Sequence, residues 1–240
     1  MEMAKDGSIT FFIPCLNVGG NVGRVIYDIV TLMKDIPRSY EIIAIDDASM
    51  DGTVAEIEGR IAKHPATRIE LIKNRFTRGL GRNYLTAAYL ARGEYFRGVY
   101  GDTDEDPGQI KDNLKLLGQA DMIIPYGAPG NPRGRLRLAI SKTFTFLVNL
   151  IGGHRVRYYN GAVTHKTQND RDWGSDTSGF GFQAELICRL LDDGKTMLEV
   201  PYVNRNPDMG GTAAFRLKNF AAVARSLSRI YRRRFNKRHR

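Results

Sequence analysis

The chain has 240 residues, 42% of them hydrophobic, which suffices for one full core or one core with an appendage. Two cysteines, Cys15 and Cys188, lack CxxC or Cys/His spacing, which suggests neither a zinc site nor a disulfide framework and fits a reducing cytoplasm. The net charge of +10 is local: ten Lys/Arg and no Asp/Glu lie from Arg216 to Arg240, leaving 26 of each sign in residues 1–215.

Along the chain, Met1 to Ser8 is polar and lacks the layout of a signal peptide. Ile9 to Ile13 reads as a strand ended by Pro14, followed by a turn at Gly19-Gly20 and a helix from Asn21 to about Met33. Glu41 to Ile45 is a second strand, before Asp46-Asp47, and Thr53 is expected to cap a helix ending near His64-Pro65. Arg68 to Ile72 is a third strand, Leu80 to Ala91 a third helix and Tyr95 to Tyr100 a fourth strand. Strands alternating with helices in this way predict βαβ units and a largely parallel sheet, with ligands bound beyond the carboxyl ends of the strands. Asn17, Asp46-Asp47 and Asp102-Asp104 all fall at such ends.

Further on, Met122 to Pro125 is strand-like, and a loop rich in Gly, Pro and Arg runs from Gly127 to Arg137. Leu136 to Ile151 is the nearest approach to a membrane span, but Arg137, Lys142 and several polar residues interrupt it, and no run reaches the roughly 18 apolar residues required. A helix from about Phe182 to Leu191, terminated by Gly194, precedes a last strand-like run closed by Tyr202 and Val203.

Two acidic clusters carry the chemistry. The run Asp102-Thr103-Asp104-Glu105-Asp106 suits a hard divalent cation, because such ions take oxygen ligands from two or three carboxylates plus substrate phosphates. The competing reading is a loop that caps the helix after Pro107. Asp46-Asp47-Ala48-Ser49-Met50-Asp51-Gly52-Thr53 places carboxylates where they can accept from a base N–H or ribose hydroxyls. Gly19-Gly20-x-x-Gly23 lacks the GxGxxG spacing, which argues against a dinucleotide-binding oxidoreductase.

With these motifs the chain resembles the family 2 glycosyltransferases, inverting nucleotide-sugar enzymes of the GT-A fold. Ile13-Pro14-Cys15-Leu16-Asn17 is similar to their opening strand, the Asp46–Thr53 run to their D-D-G-S-x-D-G-T, Asn74 through Gly93-Glu94-Tyr95 to their N-x-G-x-x-x-A-R-N stretch ending in G-E-Y, and the acidic run to their D-x-D motif. Val18 stands where the family usually has Glu, and Ala48 where it has Gly. The resemblance implies an α/β GT-A fold with a mostly parallel central sheet flanked by helices. It also implies Mg²⁺ or Mn²⁺ at Asp102 and Asp104, a third oxygen ligand from Asp106, and a nucleoside pocket lined by Pro14, Asn17, Asp46 and Asp47. Arg82 would face the diphosphate; a plain helix surface is the alternative for Arg82 and Asn83.

The second half resembles the branch that makes polyprenyl- or dolichyl-phosphate sugars, through Gly179 to Leu186, Glu199-Val200-Pro201, Arg205 and Gly210-Gly211-Thr212. Members acting on hydroxyl groups often carry Glu-Asp where this chain has Phe182-Gln183, and that Asp is their general base. A phosphate monoester acceptor is already anionic near neutral pH, so the absence of a carboxylate at 183 favours a phosphate acceptor. Asp172, Asp176 and Glu185 remain candidate bases, and Glu185 is equally able to form a salt bridge within its helix. Arg205 would bind phosphate through its guanidinium fork; the Lys that follows in the family is missing, with Arg216 or Lys218 as substitutes.

The expected organisation is a catalytic domain over residues 1–215 and a basic amphipathic helix over 216–240, in which Phe220, Val223, Leu227, Ile230 and Tyr231 recur at helical spacing. Such a helix suits an anionic membrane surface; packing on the body with a solvated arginine face is the alternative. The sequence reading is therefore a metal-dependent inverting transferase, peripheral on the cytoplasmic face of the membrane. It would move a sugar from a nucleoside-diphosphate sugar to a polyprenyl phosphate. A saccharide hydroxyl is the alternative acceptor. Nucleic-acid binding through the arginines is not expected, because it leaves the paired aspartates without a use.

Overall fold

A computed structural model describes residues 7–100, 105–128, 135–173, 179, 181–202 and 217–238. Its elements in chain order begin β1 (Ile9–Cys15), α1 (Val22–Met33), β2 (Tyr40–Asp46), α2 (Thr53–Lys63), β3 (Ile69–Lys73), α3 (Leu80–Leu90) and β4 (Tyr95–Gly98). There follow α4 (Pro107–Lys115), β5 (Met122–Gly127), α5 (Arg135–Gly152), β6 (Thr164–Lys166), α6 (Gln168–Arg171), α7 (Phe182–Asp192), β7 (Met197–Tyr202) and α8 (Leu217–Arg238).

Among the described residues the strands form one seven-stranded sheet in the order β3-β2-β1-β4-β6-β5-β7. Only β6 runs antiparallel, to both β4 and β5. The central strands are apolar on both faces because helices cover both. Phe12, Ile43 and Ile45 enter one core, while Phe11, Ile13, Ile42 and Ala44 enter the other. β6 is only three residues long and escapes a reading by periodicity. The buried His165 ties it to α3 through a 2.7 Å hydrogen bond between its Nε2 and Tyr84 Oη, and burial holds that imidazole down to about 4.

The chain reverses its lateral direction at β1: β2 and β3 lie on one side and β4 on the other. In open sheets ligands bind at such a switch point, beyond the carboxyl ends of the strands; the helices that follow β1 and β4, α1 and α4, pack together on one face of the sheet. The details of β1 fit this. Sequence expectation ends the strand at Pro14, yet pairing with β2 continues through Pro14 and Cys15. In a parallel strand alternate residues turn their polar groups to alternate neighbours. Phe12 O accepts from Val99 N on the β4 side, so the nitrogen of Pro14 also faces that side. The β4 ladder has ended at Gly98 by then, and the missing N–H costs no bond. β4 is correspondingly two residues shorter than its apolar run suggested.

Gly93 of the Gly-Glu-Tyr motif is needed for packing: a Cβ there would lie 2.5 Å from the backbone nitrogen of Thr10. At α2 the expected Thr53 cap is displaced by one residue. Gly52 holds the cap position, and Asp51 Oδ1 accepts from Thr53 N at 3.0 Å.

The C-terminal helix α8 lies against α5 and α7. Ile230 is buried with Val148, Leu186 and Cys188 in the first core, and Leu227 packs beside it. Arg229 faces Glu185, Arg233 faces Asp192 and Asp193, and Arg234 Nη1 donates to the carbonyls of Leu150 and Ile151 at 3.2 and 3.0 Å. No helix among the described residues is long and apolar enough to cross a membrane. If Ile230 is a core residue, Ile230→Ala should lower the unfolding free energy by about 2–5 kcal/mol in a urea titration, the usual cost of deleting a buried aliphatic side chain.

Candidate active site

The site is built from loops at the carboxyl ends of β1, β2, β3 and β4. Asp46 and Asp47, adjacent at the end of β2, are both buried but have different work. Asp47 Oδ1 accepts from Asn74 Nδ2 at 2.9 Å and Arg78 N at 2.8 Å, while Oδ2 accepts from Gly79 N at 2.9 Å. Asn74 Nδ2 also donates to Asn83 Oδ1 at 2.9 Å. Burial by itself would raise the Asp47 carboxyl, but donation from Arg78, Asn83, Gly79 and Asn74 outweighs it and holds the group below the usual carboxylate range. Asp47 thus fixes the loop from β3 to α3.

Asp46 accepts from Ser49 N through Oδ2 at 3.2 Å, whereas its buried Oδ1 has no hydrogen-bond partner among the described residues. A buried acceptor without a donor is costly unless a ligand supplies one. Of the doublet, Asp46 is the member left with an oxygen for a bound molecule.

Asn17 and the loop after β2 are stitched together. Asn17 N donates to Ser49 Oγ at 2.9 Å, and Met50 N donates to Asn17 Oδ1 at 2.9 Å. Asn17 holds φ 53° and Ala48 holds φ 67°. That left-handed backbone is one that glycine adopts without strain, which accounts for the usual residue at position 48. Val18 N donates to Thr53 Oγ1 at 2.9 Å, and Gly19 N to Asp51 Oδ2 at 3.0 Å. Glu56 on α2 accepts from Gly20 N at 2.7 Å and Gly23 N at 3.0 Å. The sequence reading missed Glu56, because a lone carboxylate in a first helical turn has no signature beyond its position.

Asp102 and Asp104 lie outside the described residues, as do Asp176 and Arg205. The two residues that follow Asp104 are anchored. Glu105 pairs with Arg97, a fully buried guanidinium on β4 whose Nη1 also donates to Thr164 Oγ1 at 2.8 Å. Burial raises the Glu105 carboxyl and Arg97 partly counters it. Asp106 caps α4, its Oδ1 accepting from Gly108 N at 2.8 Å with Pro107 in the first turn. The helix-capping reading of the acidic run therefore holds at Asp106.

Arg82 is exposed at the start of α3, while Asn83 is buried in the Asp47 network instead of lying on the helix surface. Glu185 and Gln183 are both buried on α7. Glu185 faces Arg229 of α8 at 3.4 Å, so its partner is on another helix and not its own. Gln183 Nε2 donates to Gly161 O at 2.8 Å. Asp172 accepts from Gln168 Nε2 at 2.7 Å.

The model of the glycosyl transferase family 2 matches residues 10–182, which takes in β1, the aspartate doublet, the acidic run and the start of α7. The chain belongs to glycosyl transferase family 2. It is 34% identical over 98 residues to the dolichyl-phosphate beta-glucosyltransferase of Dictyostelium discoideum, covering 40% of this chain and only 30% of that protein. It is 26% identical over 194 residues to the undecaprenyl-phosphate mannosyltransferase of Micrococcus luteus, covering 74% of this chain and 77% of that one. Both relatives belong to the polyprenyl-phosphate sugar branch that the second half of the sequence resembles.

The fold is that of glucosyl-3-phosphoglycerate synthase from Mycobacterium tuberculosis in complex with UDP, with a TM-score of 0.71 at 16% identity over 93% of this chain and 80% of that one. Mannosyl-3-phosphoglycerate synthase from Rubrobacter xylanophilus gives 0.69 at 19% identity over 97% of this chain and 75% of that one. The mycobacterial synthase has also been crystallised with Mn²⁺ and UDP-glucose. These likenesses make the chain a GT-A glycosyltransferase in fold.

The Asp47 network yields a prediction for this family 2 chain. Asp47→Asn turns one acceptor oxygen into an NH₂ facing backbone N–H groups, and should lower stability at pH 7 by about 1–3 kcal/mol. Because the folded-state carboxyl of Asp47 is held low, its contribution is complete above the unfolded carboxylate pKa and is lost as pH falls through the folded value. Urea midpoints of the two proteins should therefore converge towards low pH; a gap that stays constant with pH would exclude this role for Asp47.

Proposed function

We propose that the chain transfers a sugar, with inversion, from a nucleoside-diphosphate donor to a membrane-borne polyprenyl phosphate. The observation that carries the donor half is the buried Oδ1 of Asp46, without a partner among the described residues, at the carboxyl end of β2 beside β1. It is available to accept from a donor group on a nucleoside, with Pro14 and Asn17 on the neighbouring loop as the other walls of the pocket. Arg82, exposed at the start of α3, is assigned to the diphosphate.

Asp102 and Asp104 form an all-oxygen donor set that fits Mg²⁺ or Mn²⁺, as the chemistry of hard ions requires. When bound there, such an ion would neutralise charge on the departing diphosphate. The anchors that follow them support this use: Glu105 is held by Arg97, and Asp106 by the first turn of α4. Asp106, which also caps α4 through Oδ1, is assigned as the third oxygen ligand.

The acceptor half is supported by what stands where a general base would be needed. Position 183 is an amide, bonded to the Gly161 carbonyl, while Glu185 faces Arg229 and Asp172 accepts from Gln168, so neither carboxylate serves well as a general base. An acceptor phosphate needs none. Arg205 is assigned to that phosphate. The curated relatives named for dolichyl and undecaprenyl phosphate favour the same acceptor class.

Thermal-shift screening of UDP-, GDP- and TDP-sugars with Mn²⁺ should single out one donor, since selective binding raises apparent stability by mass action. With that donor radiolabelled, label should enter the lipid extract when polyprenyl phosphate is supplied. Transfer to 3-phosphoglycerate or to a saccharide instead would overturn the acceptor assignment.

Asp104→Asn should keep the wild-type unfolding midpoint and lose most turnover; near-normal turnover with unchanged Mn²⁺ dependence would remove the metal from this site. Arg205→Lys should retain donor binding yet lower transfer, because a point charge does not reproduce two-pronged phosphate recognition. Equal kinetics for the two side chains would make Arg205 a surface charge.

A further inference from the structure

Helices α5 and α8 lie side by side, and their outward faces are unlike the rest of the surface. Seven of the 13 large hydrophobic side chains exposed among the described residues belong to these two helices. Phe146 and Leu150, one turn apart on α5, are 63% and 64% exposed. Tyr231 and Phe235, one turn apart on α8, pack their rings 4.4 Å apart between centroids and are 51% and 40% exposed. A groove lined by Leu150, Ile151, Tyr231, Arg234 and Phe235 joins the two helices, so these residues make one continuous patch.

The charge on the same two helices selects what covers the patch. Together α5 and α8 carry 11 Lys/Arg and no Asp/Glu. Lys142, Arg225 and Arg232 are exposed beside the apolar side chains. A second copy of this chain docked face to face would set cations against cations with no carboxylate between them. A nucleic acid would meet the cations but leave the aliphatic side chains of Leu147 and Leu150 in water. An anionic bilayer surface satisfies both halves, its headgroups meeting the cations and its acyl boundary the rings and aliphatic chains.

We infer that α5 and α8 together form the face that seats the protein on an anionic lipid surface, with Phe146, Leu150, Tyr231 and Phe235 entering the headgroup boundary. This rests on the proposed reading in so far as that reading makes the acceptor membrane-borne. It goes beyond a basic tail: α5, which lies well before the arginine-rich segment, supplies half of the contact, and apolar insertion matters as much as charge.

The test is flotation of the full chain with phosphatidylcholine vesicles, with and without about one-third phosphatidylglycerol, a proportion that gives a strongly negative surface. The wild type should float with the anionic vesicles only. Phe146→Ser combined with Leu150→Ser keeps every charge and all of α8, yet should cut vesicle-bound protein roughly tenfold, given the transfer energy of two buried apolar side chains. Arg225→Glu combined with Arg232→Glu should do the same. As a readout independent of these variants, indole emission from Phe146→Trp should shift to the blue with anionic vesicles and not with neutral ones.

Flotation of the double serine variant at the wild-type level would overturn the inference, as would equal binding to neutral vesicles. So would a wild-type dimer that the serine variant converts to monomer without any flotation. The donor thermal shift is measured in parallel on each protein: its absence would count against the proposed donor chemistry while leaving the flotation result to stand by itself.

Discussion

The Asp47 carboxylate is the interaction on which the candidate site rests. Its two oxygens take three donors from the segment after β3, and its own N–H donates to Cys15 O at the end of β1. One residue at the end of one strand thereby couples three loops. Its charge is stabilised by hydrogen bonding in a buried place where desolvation would otherwise oppose it. The neighbouring Asp46 has a buried oxygen without a partner among the described residues. Of the two adjacent aspartates, only Asp47 has both oxygens bonded to the surrounding loops.

Charged groups elsewhere fix elements in the same way. Arg97 is fully buried on β4, and Glu105 with Thr164 supplies its partners, linking β4, β6 and the segment that leads into α4. A buried pair of this kind adds little net stability, but removing one partner costs about 3–5 kcal/mol because the other is stranded. It therefore specifies one arrangement of the chain at the position where the acidic run ends. Glu185 and the partly exposed Arg229 link α7 to α8 more loosely. Carboxylates used in this way are withdrawn from proton chemistry, which is consistent with an acceptor that arrives already ionised.

The basic C-terminal helix serves two faces at once. Ile230 and Leu227 join the core, and Arg229, Arg233 and Arg234 reach back to carboxylates and carbonyls of α5 and α7. Tyr231, Arg232 and Phe235 point the other way. A 22-residue helix has the circumference for both, since its residues are spread round a full turn every 3.6 positions. The cations nearest the body are partly neutralised, and Arg232 is exposed on the outer face.

The sequence by itself determined the alternation of strands and helices as far as β4, since runs such as Ile9–Ile13 and Glu41–Ile45 are apolar on both faces and are bounded by turn residues. It also determined the family, because four motifs occur in order over residues 9–106. It did not determine that β1 continues through Pro14, for that depends on where β4 stops beside it. Nor did it reveal β6, whose three residues are strand only because β4 and β5 flank them. The separate tasks of Asp46 and Asp47, the partner of Glu185 and the pairing of α5 with α8 depend on residues 27 to more than 80 positions apart in the chain. Local pattern is blind to such pairs, so only the tertiary structure decided which of the described carboxylates are committed to the fold.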